Sequence, residues 1–115
     1  MLGRVKPMRE PTFLILAALA DGPKHGYAII QDAATQSDGR VRLQAGTLYA
    51  ALDRLAGEGL VETTGEEVVE GRRRRYVGLT DDGRAALQRE AQRQAANARR
   101  ALDRLKVAPQ PAVAL

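Results

Sequence analysis

The sequence has no cysteine, no tryptophan and a single phenylalanine. The missing thiols exclude a disulfide framework, a thiolate metal site and a cysteine nucleophile. With so few aromatics, the core must be built from Leu, Ile, Val and Ala. No long apolar run is present either, since Phe13 to Ala20 falls far short of the ~20 residues of a membrane-spanning helix. The basic residues near Met1 are not followed by the apolar stretch and cleavage pattern of a signal peptide. The expectation is a cytoplasmic protein with no membrane partner. Catalytic patterns are missing as well. His25 is the only histidine and stands at a helix start, where capping or exposure is its ordinary use. Neither a Ser/His/Asp set, an HExxH pair nor a phosphate-binding G-x4-G-K-[ST] loop occurs. Gly57-Glu58-Gly59 imitates the start of a dinucleotide loop, but Glu62 occupies the third glycine's place and a helix precedes it. No catalytic residue, cofactor or metal ligand is expected.

What is present is basic charge, unevenly spread. The 115 residues, enough for one domain with a modest core, carry a net charge of +4. Residues 10–79 hold eight Lys/Arg against ten Asp/Glu, a balance of −2. The first nine residues contribute +3 through Arg4, Lys6 and Arg9, and residues 80–115 another +3. An anionic partner is indicated, but the central region must meet it with locally placed arginines and not with a global field.

Punctuation along the chain sets the order of elements. Residues 1–9 read as a basic arm. Glu10-Pro11-Thr12 opens a first helix, apolar on every side from Phe13 to Ala20 and stopped by Asp21-Gly22-Pro23. A second helix is predicted from about His25 to Gln36, then a turn at Ser37-Asp38-Gly39. Val41 and Leu43 alternate with Arg42, which predicts a very short strand. A third helix begins at Ala45 and ends at Gly57 and Gly59, the latter suited to a left-handed cap. Leu60–Thr64 and Arg74–Leu79 have strand composition, with Gly65–Gly71 as the loop of a hairpin. Thr80-Asp81-Asp82 then starts a last helix that runs to about Lys106, and Pro109 and Pro111 mark residues 107–115 as a disordered tail. Three helices followed by a hairpin and a long helix predict a mostly α fold with a small β-hairpin wing, a winged helix-turn-helix.

Within that plan the third helix is the informative element. Leu48, Leu52 and Leu55 form its apolar stripe, whereas Gly46, Ala50, Asp53 and Gly57 lie opposite, flanked by Thr47, Tyr49 and Arg54. A face stripped of long side chains lets a backbone approach closely, as entry into the DNA major groove requires. Arg72-Arg73-Arg74-Arg75 stands where a wing returns, and basic wings reach phosphates or a narrow minor groove. Glu66, Glu67 and Glu70 on the outgoing side can instead pair with these arginines. Alternation sends Arg73 and Arg75 one way and Arg72 and Arg74 the other. The last helix carries Ala91, Ala95, Ala98, Leu102 and Leu105 at 4-3-4-3 spacing, with Leu87 a turn earlier. That seam fits a homodimer, or packing along the apolar first helix of the same chain.

Ala45-Gly-Thr-Leu-Tyr-Ala-Ala-Leu-Asp-Arg-Leu-Ala-Gly-Glu-Gly-Leu-Val61 resembles the recognition-helix signature of PadR-type transcriptional regulators. His25-Gly-Tyr-Ala-Ile29 resembles that family's second-helix opening, and Gly71-Arg-Arg-Arg-Arg-Tyr-Val-Gly-Leu-Thr80, with Gly83 after it, its wing return and last-helix start. The match covers roughly residues 10–90. Three positions depart from the pattern: Ala50 replaces a usual proline, and Val77-Gly78 replaces a usual Tyr and Arg. The resemblance implies a homodimeric bacterial repressor that binds double-stranded DNA, with the last helix and often the first forming the dimer interface. Some members bind aromatic effectors through a Trp near that interface. This chain has none, so an effector is allowed without being specified. The alternative is a winged-helix module that binds protein.

The expected organisation is an arm over 1–9, a winged helix-turn-helix over 10–79, a dimerisation helix over 80–106 and a tail over 107–115. Candidate DNA contacts are Lys24, Tyr27, Gln44, Gly46, Thr47, Tyr49, Ala50, Arg54, Arg72, Arg73 and Arg74. Candidate dimer residues are Phe13, Leu16, Leu87, Ala91, Ala95, Ala98, Leu102 and Leu105.

Overall fold

The computed structural model describes residues 7–114, so Arg4 and Lys6 of the basic arm lie outside the described residues. Seven elements follow in the order α1 (Glu10–Ala18), β1 (Lys24–His25), α2 (Gly26–Gln36), α3 (Ala45–Gly57), β2 (Val61–Val69), β3 (Arg72–Leu79) and α4 (Asp81–Leu105). The three strands form an antiparallel sheet in the order β1-β3-β2. The fold is a winged helix-turn-helix extended by a long C-terminal helix, as the order of periodic segments predicts.

One aliphatic core joins these elements. Ile15, Leu16 and Leu19 from the α1 region meet Ile29 of α2 and the Leu48, Leu52, Leu55 stripe of α3, all essentially inaccessible to water. Val61, Val77 and Leu87 close the cluster from the sheet and from α4. The apolar run of α1 is thus mostly consumed inside the chain, with Phe13 and Ala17 only partly covered.

Local chemistry sets the helix boundaries. Ala28 N–H donates to His25 Nδ1 at 3.3 Å, so the lone histidine caps α2. At the end of α3, Gly59 adopts φ +78° and Leu60 N–H returns to the Leu55 carbonyl at 2.9 Å, a left-handed cap. Thr80 accepts from Gly83 N–H at 3.0 Å to cap α4 and donates to the Gly59 carbonyl at 2.6 Å. Gly83 is required there, because a Cβ would lie 1.9 Å from the Leu60 carbonyl oxygen.

Two sheet expectations need correction. The segment around Val41 and Leu43 is not a strand: Val41 N–H is taken by Ser37 Oγ at 2.9 Å, as the preceding turn wraps onto itself. The third strand is instead Lys24–His25, paired with Val77 and Tyr76 of β3. The stretch from Gly65 to Val69 is likewise not loop. The hairpin continues to a two-residue turn at Glu70-Gly71, both at positive φ (51° and 76°), as twisted hairpins prefer.

Helix α4 spans 25 residues, about 37 Å. Past Glu90 almost nothing of it is covered by the rest of the chain, and the molecule measures 66 × 39 × 24 Å.

Candidate nucleic-acid interface

Burial of the leucine stripe turns the opposite side of α3 outward, and Gln44, Gly46, Thr47, Ala50, Asp53 and Gly57 are all exposed. Gln44 precedes the helix without a side-chain capping bond, and the first turn contains no acidic residue. The first N–H groups therefore remain open and carry the positive end of the helix dipole, which suits a phosphate.

Tyr49 locks this helix to its neighbours. Its hydroxyl approaches Gly26 so closely that a Cβ there would sit 2.7 Å from it. Hence the second helix opens His25-Gly26-Tyr27: the histidine caps, and the glycine admits the tyrosine of α3. Tyr27, next in line, is 65% exposed. On its other flank the Tyr49 ring lies 5.7 Å beneath the Arg75 guanidinium, a cation–π contact that ties α3 to the wing.

Cross-strand register decides which wing arginines share that surface. Glu66 opposes Arg75, Glu67 opposes Arg74, and Val68 opposes Arg73. Alternation from the buried Val77 puts Arg75 and Arg73 on the α3 side, where they line a groove of about 440 Å³ with Tyr49, Asp53 and Glu66. Arg73 Nε lies 3.8 Å from Glu66, an exposed pair of little strength that a phosphate can replace. Arg72 and Arg74 point to the other face, with Tyr76. The Tyr76 hydroxyl donates to Glu67, which pushes its pKa up, and its ring stacks edge-on with His25.

Several expected contacts are placed elsewhere. Lys24 Nζ is bound to the Ala18 carbonyl and to Asp21, so it ties the end of α1 to β1 and is not presented to a ligand. Arg54 leans away from the groove: it donates to Thr12 Oγ1 at 3.1 Å and pairs with Glu58 at 3.5 Å. Its position two turns from Thr47 cannot reveal this, because the partner on α1 is 42 residues distant in sequence. Arg72 and Arg74 lie on the far side of the wing, and Arg75, absent from the expected set, takes their place beside α3. Counting alternation back from Val77 was the available signal. Leu16 is completely buried in the head, and Leu87 nearly so, which removes both from any surface for a second chain.

Behind α3 a cleft of about 760 Å³ separates the residues before α1 from α4, lined by Met8, Arg9, Arg54, Arg89, Glu90 and Arg93 among others. Hydrogen bonds from Arg93 and Gln94 hold the nearly buried Glu90 carboxyl at about 2, assisted by the Met8 N–H. Beyond it Ala91, Ala95, Ala98, Leu102 and Leu105 are all exposed, Leu105 to 80%. The seam does not fold back along α1. Among the described residues no group of acidic, histidine or cysteine side chains could hold a metal ion, and no helix is long and apolar enough to cross a membrane.

A family model described as the transcriptional regulator PadR-like family matches residues 15–89. Over 82 residues the chain is 46% identical to an uncharacterized 37.1 kDa protein in transposon Tn4556 of Streptomyces fradiae, covering 71% of this chain and 22% of that protein. It is 40% identical over 73 residues to a transcriptional regulator of Mycobacterium tuberculosis, covering 64% of each. The match thus spans about a fifth of the first relative's length and under two thirds of the second's. Among solved structures, a PadR-like regulator from Bacillus cereus superposes with a TM-score of 0.68 at 22% identity, covering 84% of this chain and 92% of that one. PadR of Bacillus subtilis, solved in complex with operator DNA, superposes with a TM-score of 0.61 at 20% identity, covering 93% and 53%. At such identities the likeness establishes the fold.

Proposed function

Since the chain belongs to the PadR-like family of transcriptional regulators, we propose that it is a cytoplasmic homodimeric repressor that binds a pseudo-palindromic operator in double-stranded DNA. The observation that carries this reading is the outward face of α3, small at its centre, open at its N-terminus and flanked by Arg73 and Arg75. Helix α3 enters the major groove with its N-terminus leading, with Gln44, Gly46, Thr47, Tyr49 and Ala50 at base edges. Tyr27 and the two wing arginines hold the flanking backbone. Two heads are joined through the exposed part of α4, whose Ala91, Ala95, Ala98, Leu102 and Leu105 offer an alanine-rich seam for close helix approach. Phe13, half-covered on α1, is the residue of the head available to the same interface. Release by a small-molecule effector fits a regulator of this kind, although no residue here specifies its chemistry.

Selection from random duplex DNA with the purified protein tests the reading. Enrichment of a two-fold symmetric site, with half-sites one helical turn or a multiple apart, is expected. Recovery of unselected sequence would leave a winged-helix module that binds protein.

A further inference from the structure

The exposed strip of α3 consists of Gly46, Ala50, Asp53 and Gly57, so Asp53 is its only side chain longer than a methyl group. It lines the groove between the helix and the wing together with Arg73 and Arg75, yet neither guanidinium takes it as an ion-pair partner. Arg73 pairs with Glu66, and Arg75 covers the Tyr49 ring. A carboxylate on a surface that meets DNA carries a penalty against every phosphate it approaches. We propose that Asp53 is a specificity-determining residue that reads a cytosine in each half-site by accepting a hydrogen bond from the N4 amine. The proposal rests on the DNA-binding reading above and deepens it.

The chemistry leaves few alternatives. An ionised carboxylate can only accept, whereas guanine O6 and N7 and thymine O4 are themselves acceptors and repel it. Two amines remain in the major groove, cytosine N4 and adenine N6. The adenine amine stands beside the N7 acceptor, which faces the second carboxylate oxygen unfavourably, so cytosine is preferred. Ala50 and Asp53 are separated by about 4.5 Å along the helix axis, little more than the ~3.4 Å between successive bases on a strand. Any base pair that Ala50 meets therefore lies within one or two base pairs of the cytosine. The wing arginines beside Asp53 offset its charge against nearby phosphates, so it gives discrimination with a limited loss of affinity.

The test compares the sites selected from random duplexes by the parent, Asp53→Asn and Asp53→Ala, with affinities measured on the parent's site and on unrelated DNA. Asp53 is exposed, and matching thermal melts would show that the variants fold. The parent is expected to show one half-site column dominated by cytosine, at which another base weakens binding about tenfold. Asp53→Asn should move that column towards adenine, since an amide both donates and accepts. Asp53→Ala should flatten the column alone and bind unrelated DNA more tightly at low salt. An Asp53→Ala column identical to the parent's overturns the assignment while leaving DNA binding intact. A parent that enriches no site overturns both.

Discussion

In the proposed interface Thr47 and Tyr49 carry the reading role most directly, and their surroundings differ. Thr47 is exposed and makes no side-chain hydrogen bond among the described residues, whereas Tyr49, 44% exposed, lies between Gly26 and Arg75. Thr47→Ala should therefore lower operator affinity by about 1–3 kcal/mol, the cost of one base-edge contact, without changing the melting temperature. Tyr49→Phe keeps the ring under Arg75 and removes only the hydroxyl, so it should weaken the operator and spare the fold. Titration of both variants against operator and scrambled DNA checks this, and unchanged discrimination in both would remove α3 from the interface. Glu90 yields a different kind of prediction. Its carboxyl, held at about 2 by Arg93 and Gln94, lies below the ordinary value of 4.5. A group with a depressed folded pKa stabilises the fold above its unfolded value and loses that contribution as the pH falls through the folded one. Melting temperature should fall between about pH 4.5 and 2, and Glu90→Gln should flatten the curve across that window. A Gln variant with the parent's acid profile would show the Arg93 pairing to be without consequence.

Among the elements, the wing gives the sharpest contrast because its two faces carry the same residue type. Each arginine removed from a phosphate should lower the log–log salt slope by about 0.9, so Arg73→Gln with Arg75→Gln in both subunits of a dimer should flatten it by about 3 to 4. Arg72→Gln with Arg74→Gln should change it far less. Equal effects from the two pairs would mean that the wing meets DNA with its tip and not with its α3 side. The wing also shows where sequence patterning stops. The amphipathic stripe of α3, the Gly59 cap and the Thr80 cap are local devices and were readable from a few adjacent residues. The outer part of the wing was not, because Gly65 and the Glu66-Glu67 pair have loop composition and become strand only through pairing with β3. Lys24–His25 is too short for any periodicity and is a strand only because Tyr76 and Val77 lie beside it. The same limit applies to function. Arg54 and Lys24 look like DNA contacts until the turns of chain that occupy them are in place.

In the whole molecule, the half of α4 that leaves the head is the feature a single chain does not explain. Leu102 and Leu105 are 60% and 80% exposed there, at the end farthest from the core. Replacing both with Lys removes apolar area and, in the proposed dimer, sets like charges against each other across the two-fold axis, while Leu48, Leu52 and Leu55 stay untouched. The variant should sediment as a folded monomer, and a variant that stays dimeric would place the interface elsewhere. The most direct test of the proposed dimeric, sequence-specific DNA binding is a footprinting titration on DNA flanking its own coding sequence, with excess unrelated duplex present. A saturable footprint with two-fold symmetry, half-sites about one turn apart, and one dimer per site is the predicted result. Protection that spreads evenly along the fragment and vanishes with competitor DNA would contradict it.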